Sequence, residues 1–151
     1  MQKVAAAVQE NAHRNLAAVV TRALEAVGYD YEFRFRFERK RGKTEAKPVF
    51  VRDGQEIDPL RGSGLGPVDV AAFALRVAAV VFQRPARRRL VVLDEPFKHV
   101  SARGGYRARV RAMVEAVSKE TGVQIIMVSH ADELVCGKVI DLGESPPASG
   151  G

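Results

Sequence analysis

The sequence predicts an α/β fold with a parallel sheet, and three observations lead to this prediction. Two short apolar runs, residues 90–93 and 123–128, are separated by a helical pattern over residues 105–120. Strand, helix and strand in this order indicate a right-handed parallel unit. A long helical pattern and a stretch of alternating aromatic residues precede that unit. We therefore expect an N-terminal helix and an antiparallel hairpin in front of the parallel sheet.

The N-terminal helix is predicted over residues 2–27. Apolar residues recur there at spacings of three and four, and Gly28 follows where a glycine ends a helix. The first half of the helix is rich in Ala and Gln and only weakly apolar, as in a coiled-coil arm. We expect three segments: a coiled-coil-derived helix (1–27), a folded lobe (28–142) and a disordered tail (143–151).

Residues 29–38 alternate between aromatic and charged side chains, which predicts a half-buried antiparallel strand. A charged turn and a second strand over residues 44–52 complete the hairpin, and Asp53 with Gly54 forms a tight turn. We expect the aromatic face of the first strand to belong to the core. That face carries Tyr31, Phe33, Phe35 and Phe37.

The second half of the chain begins with a glycine-rich loop, residues 58–67, before an apolar helix predicted over residues 68–82. A basic link leads into the strand at residues 90–93. The two apolar runs are expected to be strands buried on both faces, because they lack polar alternation. A short helix and a last strand over residues 138–142 should follow.

Composition limits the compartment and the partners. The chain has 151 residues, the size of one domain, and a formal net charge of +6, which favours anionic partners such as nucleic acid or nucleotide phosphates. The single cysteine, Cys136, fits a reducing compartment. The first residues lack the apolar core of a signal peptide, and the apolar stretch at residues 70–82 is interrupted by Arg76 and too short to span a bilayer. We expect a soluble intracellular protein without membrane contact.

Two adjacent carboxylates, Asp94 and Glu95, follow the first apolar strand directly. Open α/β sheets bind ligands at the carboxyl ends of their strands. Paired carboxylates at such an edge can support Mg²⁺ and activate a water molecule. The second strand ends in Ser129 and His130, at the same edge of a parallel sheet. The alternatives are a surface turn or helix cap for the acidic pair, and a structural role for the histidine.

Four motifs in this order resemble the C-terminal lobe of ABC/SMC-like ATPases. Residues 90–96 resemble the Walker B strand, residues 99–101 stand at the D-loop, and residues 128–130 resemble the switch-histidine loop. Residues 62–66 and the helix after them resemble the signature loop. The likeness covers about residues 28–142, and the N-terminal helix resembles a returning coiled-coil arm. It is greatest to the DNA double-strand-break repair branch, especially phage recombination-endonuclease ATPase subunits.

The resemblance implies a P-loop NTPase of the ABC ATPase head type, with ATP and Mg²⁺, in the cytoplasm of a bacterial or phage-infected cell. It implies that Asp94 supports Mg²⁺, that Glu95 polarises the attacking water and that His130 steadies the γ-phosphate. Two heads would sandwich the nucleotides and control a partner nuclease on DNA. The resemblance places the contacts to the nucleotide of the opposing head at Gly62, Ser63, Gly64, Gly66 and Ser101.

The sequence departs from the family pattern in three places. Gly64 stands where the signature serine is usual, and Val100-Ser101 replaces Leu-Asp in the D-loop. The chain also has no Gly-x-x-x-x-Gly-Lys-Ser/Thr motif, and Gly42-Lys43-Thr44 falls in a hairpin turn. A P-loop lobe must then come from elsewhere. The alternative is a regulatory or DNA-binding half-head that does not hydrolyse ATP. A transporter domain fits less well, because the aromatic hairpin follows a long helix.

Two basic clusters are candidates for contacts to double-stranded DNA, since phosphate contacts need only positive charge. A solvated surface is the alternative for both. The first, on the hairpin, comprises Arg34, Arg36, Arg39, Lys40, Arg41 and Lys43; the second comprises Arg84, Arg87, Arg88 and Arg89.

Overall fold

The computed structural model describes residues 2–40 and 43–141. It has a mixed fold with a parallel sheet and an antiparallel hairpin, as predicted. The helices are α1 (Gln2–Val27), α2 (Pro59–Gly62), α3 (Leu65–Phe82) and α4 (Tyr106–Thr121). The antiparallel sheet has the order β1 (Glu32–Lys40), β2 (Lys43–Arg52) and β3 (Gln55–Ile57), and the parallel sheet pairs β4 (Leu90–Asp94) with β5 (Gln124–Val128). Short 3-10 turns lie at Arg103–Gly105 and Asp132–Leu134.

Helix α1 ends where the sequence predicts, because Gly28 adopts a φ of 93° that side chains disfavour. The Arg109 side chain of α4 donates from Nε to the carbonyl of Val27 at 2.6 Å, which places a cation at the C-terminus of α1. Val20 and Leu24 are fully buried, whereas none of residues 10–19 is buried. The second half of α1 therefore docks on the lobe. The coiled-coil origin of its first half stays a prediction.

The hairpin forms with Phe33 opposite Phe50, and both rings are buried. Burial decreases along the aromatic face, so that Phe37 is 48% exposed. The prediction that the whole face is core is correct only for its first part. After the turn at Asp53 and Gly54, the chain adds the short strand β3, which the sequence does not signal.

Helix α3 begins three residues earlier than predicted, because Gly64 takes the N-cap position with φ 78° and ψ 162°. Pro67 fits the first turn, where a helix needs no proline N–H. With 18 residues and a mean hydropathy of 1.8, α3 is long and apolar enough to cross a membrane by length and composition alone. The length argument drawn from residues 70–82 was therefore wrong. Val70, Phe73 and Val77 are buried against the rest of the core, as in the central helix of a globular lobe.

Within the described residues the parallel sheet is covered on one face only, so the prediction of two fully buried strands is wrong. Val91 and Leu93 point into the core cluster that also contains residues of α3 and α4. The alternate residues point outward and are 43–65% exposed. We call this surface the outer sheet face; it is formed by Leu90, Val92, Ile126 and Val128.

The last predicted strand does not form within the described part, residues 138–141. Val139 and Ile140 are 62% and 74% exposed. A strand needs a neighbour to satisfy its backbone groups, and the parallel sheet of the described residues consists of β4 and β5 alone. Leu142 and the tail over residues 143–151 lie outside the described residues.

Phe73 tests the central position of α3. Its ring is 1% exposed and lies 5.3 Å from that of Phe97, between centroids. We expect Phe73→Ala to lower the free energy of unfolding by about 3–5 kcal/mol, because it leaves a cavity. Phe82→Ala, near the end of the same helix and 48% exposed, is the matched control and should cost less than about 1 kcal/mol. Denaturant unfolding measures both, and equal losses would contradict the buried position of α3.

Candidate functional site

The carboxyl ends of β4 and β5 bring Glu95 and His130 together. The Glu95 N–H donates to the carbonyl of Val128 at 2.9 Å, which continues the strand pairing by one residue. The His130 N–H donates to Glu95 Oε1 at 2.7 Å, and His130 Nε2 lies 3.7 Å from the same oxygen. The Glu95 side chain is 28% exposed and that of His130 is 92% exposed. The carboxylate is therefore held, while the imidazole is presented to solvent.

Glu95 has a φ of 43°, which places a non-glycine residue in the left-handed region. Such a conformation costs about 1–3 kcal/mol and persists where the surrounding structure enforces it. Here the strand pairing fixes Glu95 on one side. On the other side the chain turns back, with the Lys98 N–H donating to the Glu95 carbonyl at 3.3 Å and Phe97 buried.

A cleft of about 260 Å³ lies between α3 and the end of β4. Asp94 and Glu95 line one wall, and Asp69 and Arg76 of α3 line the other. Sequence reasoning missed the two α3 residues. A signal was present, because they are seven residues apart in an otherwise apolar helix and so share one face.

The donor set fits an Mg²⁺ ion that is completed by a nucleotide. Among the residues that the structure describes, no group of three His, Cys, Asp or Glu side chains could hold a metal ion by itself. Mg²⁺ in nucleotide sites commonly uses one or two carboxylates together with waters and phosphates. Asp94 is exposed at the strand end, where it could serve as such a carboxylate.

The glycines of the 62–66 loop have a packing explanation. A Cβ on Gly62 would lie 2.5 Å from the side chain of Ile57. A Cβ on Gly66 would lie 2.5 Å from Tyr29 Oη and 3.2 Å from the carbonyl of His99. The loop therefore contacts the D-loop position through Gly66, and the lining residues described for the acidic cleft do not include it.

The hydroxyls predicted to reach a nucleotide have partners within their own loops. Ser63 Oγ can donate to the carbonyl of Pro59 at 2.7 Å. Ser101 Oγ accepts the Arg103 N–H at 3.1 Å, and Ser101 itself is exposed. Gly64 has nothing within 4 Å of the position of a Cβ. Of the loop, the backbone around Gly64 is the part open to a ligand.

Tyr29 joins the end of α1 to this loop. Its ring stacks on that of Tyr106 with centroids 4.9 Å apart. Burial, reinforced by Tyr106 and Asp69, raises the pKa of Tyr29 to about 12. The phenol therefore keeps its proton at neutral pH where it abuts Gly66.

Two arginines of the hairpin cluster are paired with carboxylates. Arg34 pairs with Glu32 at 2.6 Å, and Arg36 pairs with Glu38 at 2.6 Å and Glu56 at 3.0 Å. These exposed pairs add little stability, but they offset the charge of the two arginines. Arg41 and the side chains of Lys40 and Lys43 lie outside the described residues. The second cluster lies in residues 83–89, all of them exposed, where Arg89 donates to the carbonyl of Thr121 at 2.6 Å.

No protein-family model and no curated protein matches the sequence. The solved structures similar to this chain include an Smc head bound to the C-winged helix domain of ScpA, with a TM-score of 0.59 and 20% identity over 83% of this chain and 36% of that one. A second is a Pyrococcus furiosus Smc head domain with an extended coiled coil, bound to the C-terminal domain of ScpA. Its TM-score is 0.57, with 18% identity over 79% of this chain and 29% of that one. The fold is that of an SMC head. The chain spans about a third of these two structures.

A third structure comes from work on ATP-driven dimerization and DNA-stimulated activation of SMC ATPases. Its TM-score is 0.59, with 19% identity over 84% of this chain and 74% of that one. The TM-scores establish a shared fold, and at these identities they establish nothing beyond it. They do not establish the phage recombination-endonuclease subtype that the sequence suggests.

The contact between Gly66 and Tyr29 generates a prediction about stability. Gly66→Ala should lower the free energy of unfolding by about 1–3 kcal/mol, as overpacking does. Tyr29→Phe removes the oxygen nearest to the new methyl group, so the loss should shrink by about 1 kcal/mol in that background. Denaturant unfolding of the double-mutant cycle measures the difference. Tyr31→Phe is the control background; rescue there as well, or no rescue by Tyr29→Phe, would contradict the contact.

Proposed function

We propose that this chain is the C-terminal lobe of an SMC-like ATPase that hydrolyses ATP together with a P-loop lobe supplied elsewhere. The observation that carries the proposal is the juxtaposition of Glu95 and His130, beside Asp94, at the shared edge of two parallel strands in an SMC-head fold. A carboxylate and an imidazole at one edge can handle the proton of an attacking water and the charge of a phosphate.

Each residue of the edge has a role in this proposal. Glu95 Oε1 accepts the His130 N–H, which leaves Oε2 to orient the water and take its proton. The exposed imidazole of His130 would donate to the γ-phosphate. Asp94 would hold Mg²⁺ through water. Bound Mg²⁺ would neutralise charge on the phosphates of ATP.

The outer sheet face supports the need for a second lobe. Asp94 belongs to the same alternating set as Leu90 and Val92, so the metal-supporting carboxylate points to the side that this chain leaves uncovered. Contiguous exposed apolar residues mark surfaces that another protein covers. We assign this face to the P-loop lobe, which would bring the phosphates of ATP next to Asp94.

The 62–66 loop would serve the nucleotide of a second head in a dimer. The open backbone at Gly64 precedes the N-terminus of α3, and helix N-termini attract phosphate. Gly62 and Gly66 shape the loop, Ser63 belongs to it, and Ser101 is exposed in the segment after Glu95. Because Ser63 Oγ is engaged with the carbonyl of Pro59, backbone N–H groups would make the phosphate contacts.

We further propose that the ATPase acts in DNA repair or recombination, in the cytoplasm of a bacterial or phage-infected cell, by controlling a partner nuclease on double-stranded DNA. The motif resemblance supports this assignment. The exposed arginines of residues 84–89 supply a surface for phosphates. Salt-dependent binding of duplex DNA that Arg87→Ala and Arg88→Ala weaken would support it.

A half-head that regulates a partner or binds DNA without hydrolysing ATP is the second candidate. The structure gives it one specific argument, since packing explains Gly62 and Gly66 and a local hydrogen bond occupies Ser63. In this case the lobe would still dock through its outer sheet face. ATP turnover by the assembled protein separates the two candidates.

Docking is tested by Val92→Asp, which places a charge in the outer sheet face at a side chain 65% exposed. We expect the variant to fold as the parent does, and to lose at least about tenfold in affinity for a co-expressed P-loop lobe. Co-purification and calorimetry measure this. Leu60→Asp, at an apolar residue of α2 that is 72% exposed, is the matched control. Equal binding by both variants would show that the lobe docks elsewhere.

Catalysis is tested by Glu95→Gln in the assembled ATPase. The amide can still accept the His130 N–H, but it cannot take a proton, so kcat should fall at least about 100-fold. The KM for ATP should change little, because the amide keeps the geometry. Steady-state phosphate release measures both. Unchanged turnover would sink the assignment of Glu95, and absence of turnover in the parent assembly would favour the regulatory half-head.

A further inference from the structure

The Asp69 carboxylate accepts a hydrogen bond from the backbone of the segment that follows Glu95. The His99 N–H donates to Asp69 Oδ2 at 2.8 Å, and His99 Nδ1 lies 3.3 and 3.2 Å from Oδ1 and Oδ2. The Asp69 side chain is 18% exposed and that of His99 is 44% exposed. A backbone N–H bonded to an ionised carboxylate makes a charge-assisted hydrogen bond, which is stronger than a neutral one.

The backbone carbonyl of the same residue also contacts α3. The carbonyl of His99 lies 3.2 Å from the position of a Cβ on Gly66, which is closer than most Cβ contacts, so a side chain there would press on this carbonyl. Val100, the next residue, is 1% exposed, and its carbonyl accepts Arg107 Nε at 3.2 Å. The segment after Glu95 is thus fixed to α3 at His99 and to α4 at Val100.

This attachment bears on Glu95 because only three residues separate it from His99. The left-handed backbone of Glu95 needs restraint on both sides. Strand pairing restrains its N-terminal side through Val128. On its C-terminal side, two contacts supply the restraint: the burial of the Phe97 ring and the hydrogen bond from the His99 N–H to Asp69.

We propose that Asp69 is a positioning residue, which holds the backbone of His99 and thereby the carboxylate of Glu95 at the end of β4. For its catalytic consequence, this inference rests on the proposed ATPase function. It also links the 62–66 loop to the acidic pair, because Gly66 and Asp69 belong to the first turns of one helix and both contact the backbone of His99. A displacement of α3 would therefore shift the carboxylate of Glu95.

Amide hydrogen exchange of the 151-residue chain tests this without nucleotide. In Asp69→Ala the protection of the His99 amide should fall at least about tenfold. The His130 amide, which donates to Glu95 rather than to Asp69, should lose protection as well, by about threefold or more, because Glu95 is displaced. Asp69→Asn keeps an oxygen acceptor, so the His99 and His130 amides should retain most of their protection. The amide of Val114 in α4 reports global unfolding and should not change.

Several results would overturn the proposal. Unchanged protection of the His99 amide in Asp69→Ala would refute the hydrogen bond from His99 to Asp69. Lost protection of the His99 amide with unchanged protection of the His130 amide would refute the positioning of Glu95. A loss in Asp69→Asn equal to that in Asp69→Ala would show that charge or packing, rather than the acceptor, is what matters. Glu115→Ala, which removes an exposed carboxylate paired with Arg111 in α4, is the control.

The catalytic arm uses the ATPase assembled with a P-loop lobe. Asp69→Ala should lower kcat about tenfold with KM for ATP within about twofold, and Asp69→Asn should restore most of the rate. An unchanged kcat in Asp69→Ala would overturn the positioning role. If the parent assembly has no turnover, the proposed function fails, and the exchange of the His130 amide still decides whether Asp69 positions Glu95.

Discussion

The parallel pairing of β4 with β5 is the constraint on which the candidate site depends. It continues one residue past the strands, through the hydrogen bond from Glu95 to Val128. That bond sets where the carboxylate of Glu95, the proposed base, lies relative to His130, the proposed hydrogen-bond donor to phosphate. Residues that are 35 positions apart in the chain become neighbours by strand geometry alone. The helices stabilise this pairing from one side only.

Over the residues that the structure describes, the parallel sheet is covered on one face only, and this explains two unusual properties of the second half of the chain. A strand such as β4, with four consecutive apolar residues, is suited to a sheet that is covered on both faces. Here the outward set remains exposed, and residues 138–141 form no strand in the described part of the chain. Both features have one physical cause if further sheet and helix come from another lobe.

Patterns with a strong period could be predicted from sequence, and contacts set by packing could not. The end of α1, the first part of the hairpin and the shared edge of Asp94, Glu95 and His130 follow from periodicity, turn residues and the parallel rule. The early start of α3 at Leu65 depends on Gly64 taking an unusual conformation, and three glycines in one loop gave several possible starts. Asp69 escaped notice because its partner is a backbone N–H 30 residues away. No side-chain pattern encodes such a bond. The burial of β4 was overpredicted because a strand's residues do not record which chain covers them.

The backbone conformation of Glu95 argues against the alternative of a half-head that does not hydrolyse ATP. A left-handed φ favours glycine, or asparagine among the other residues, and a glutamate there costs stability. A lobe whose edge served only to bind a partner would gain by relieving that strain. The glutamate instead projects its carboxylate onto the N–H of His130 and toward the cleft. The packing role of Gly62 and Gly66 does not reduce this argument, because a loop can be shaped by packing and still present its backbone to phosphate. The strain at Glu95 is therefore more readily explained by hydrolysis than by docking alone.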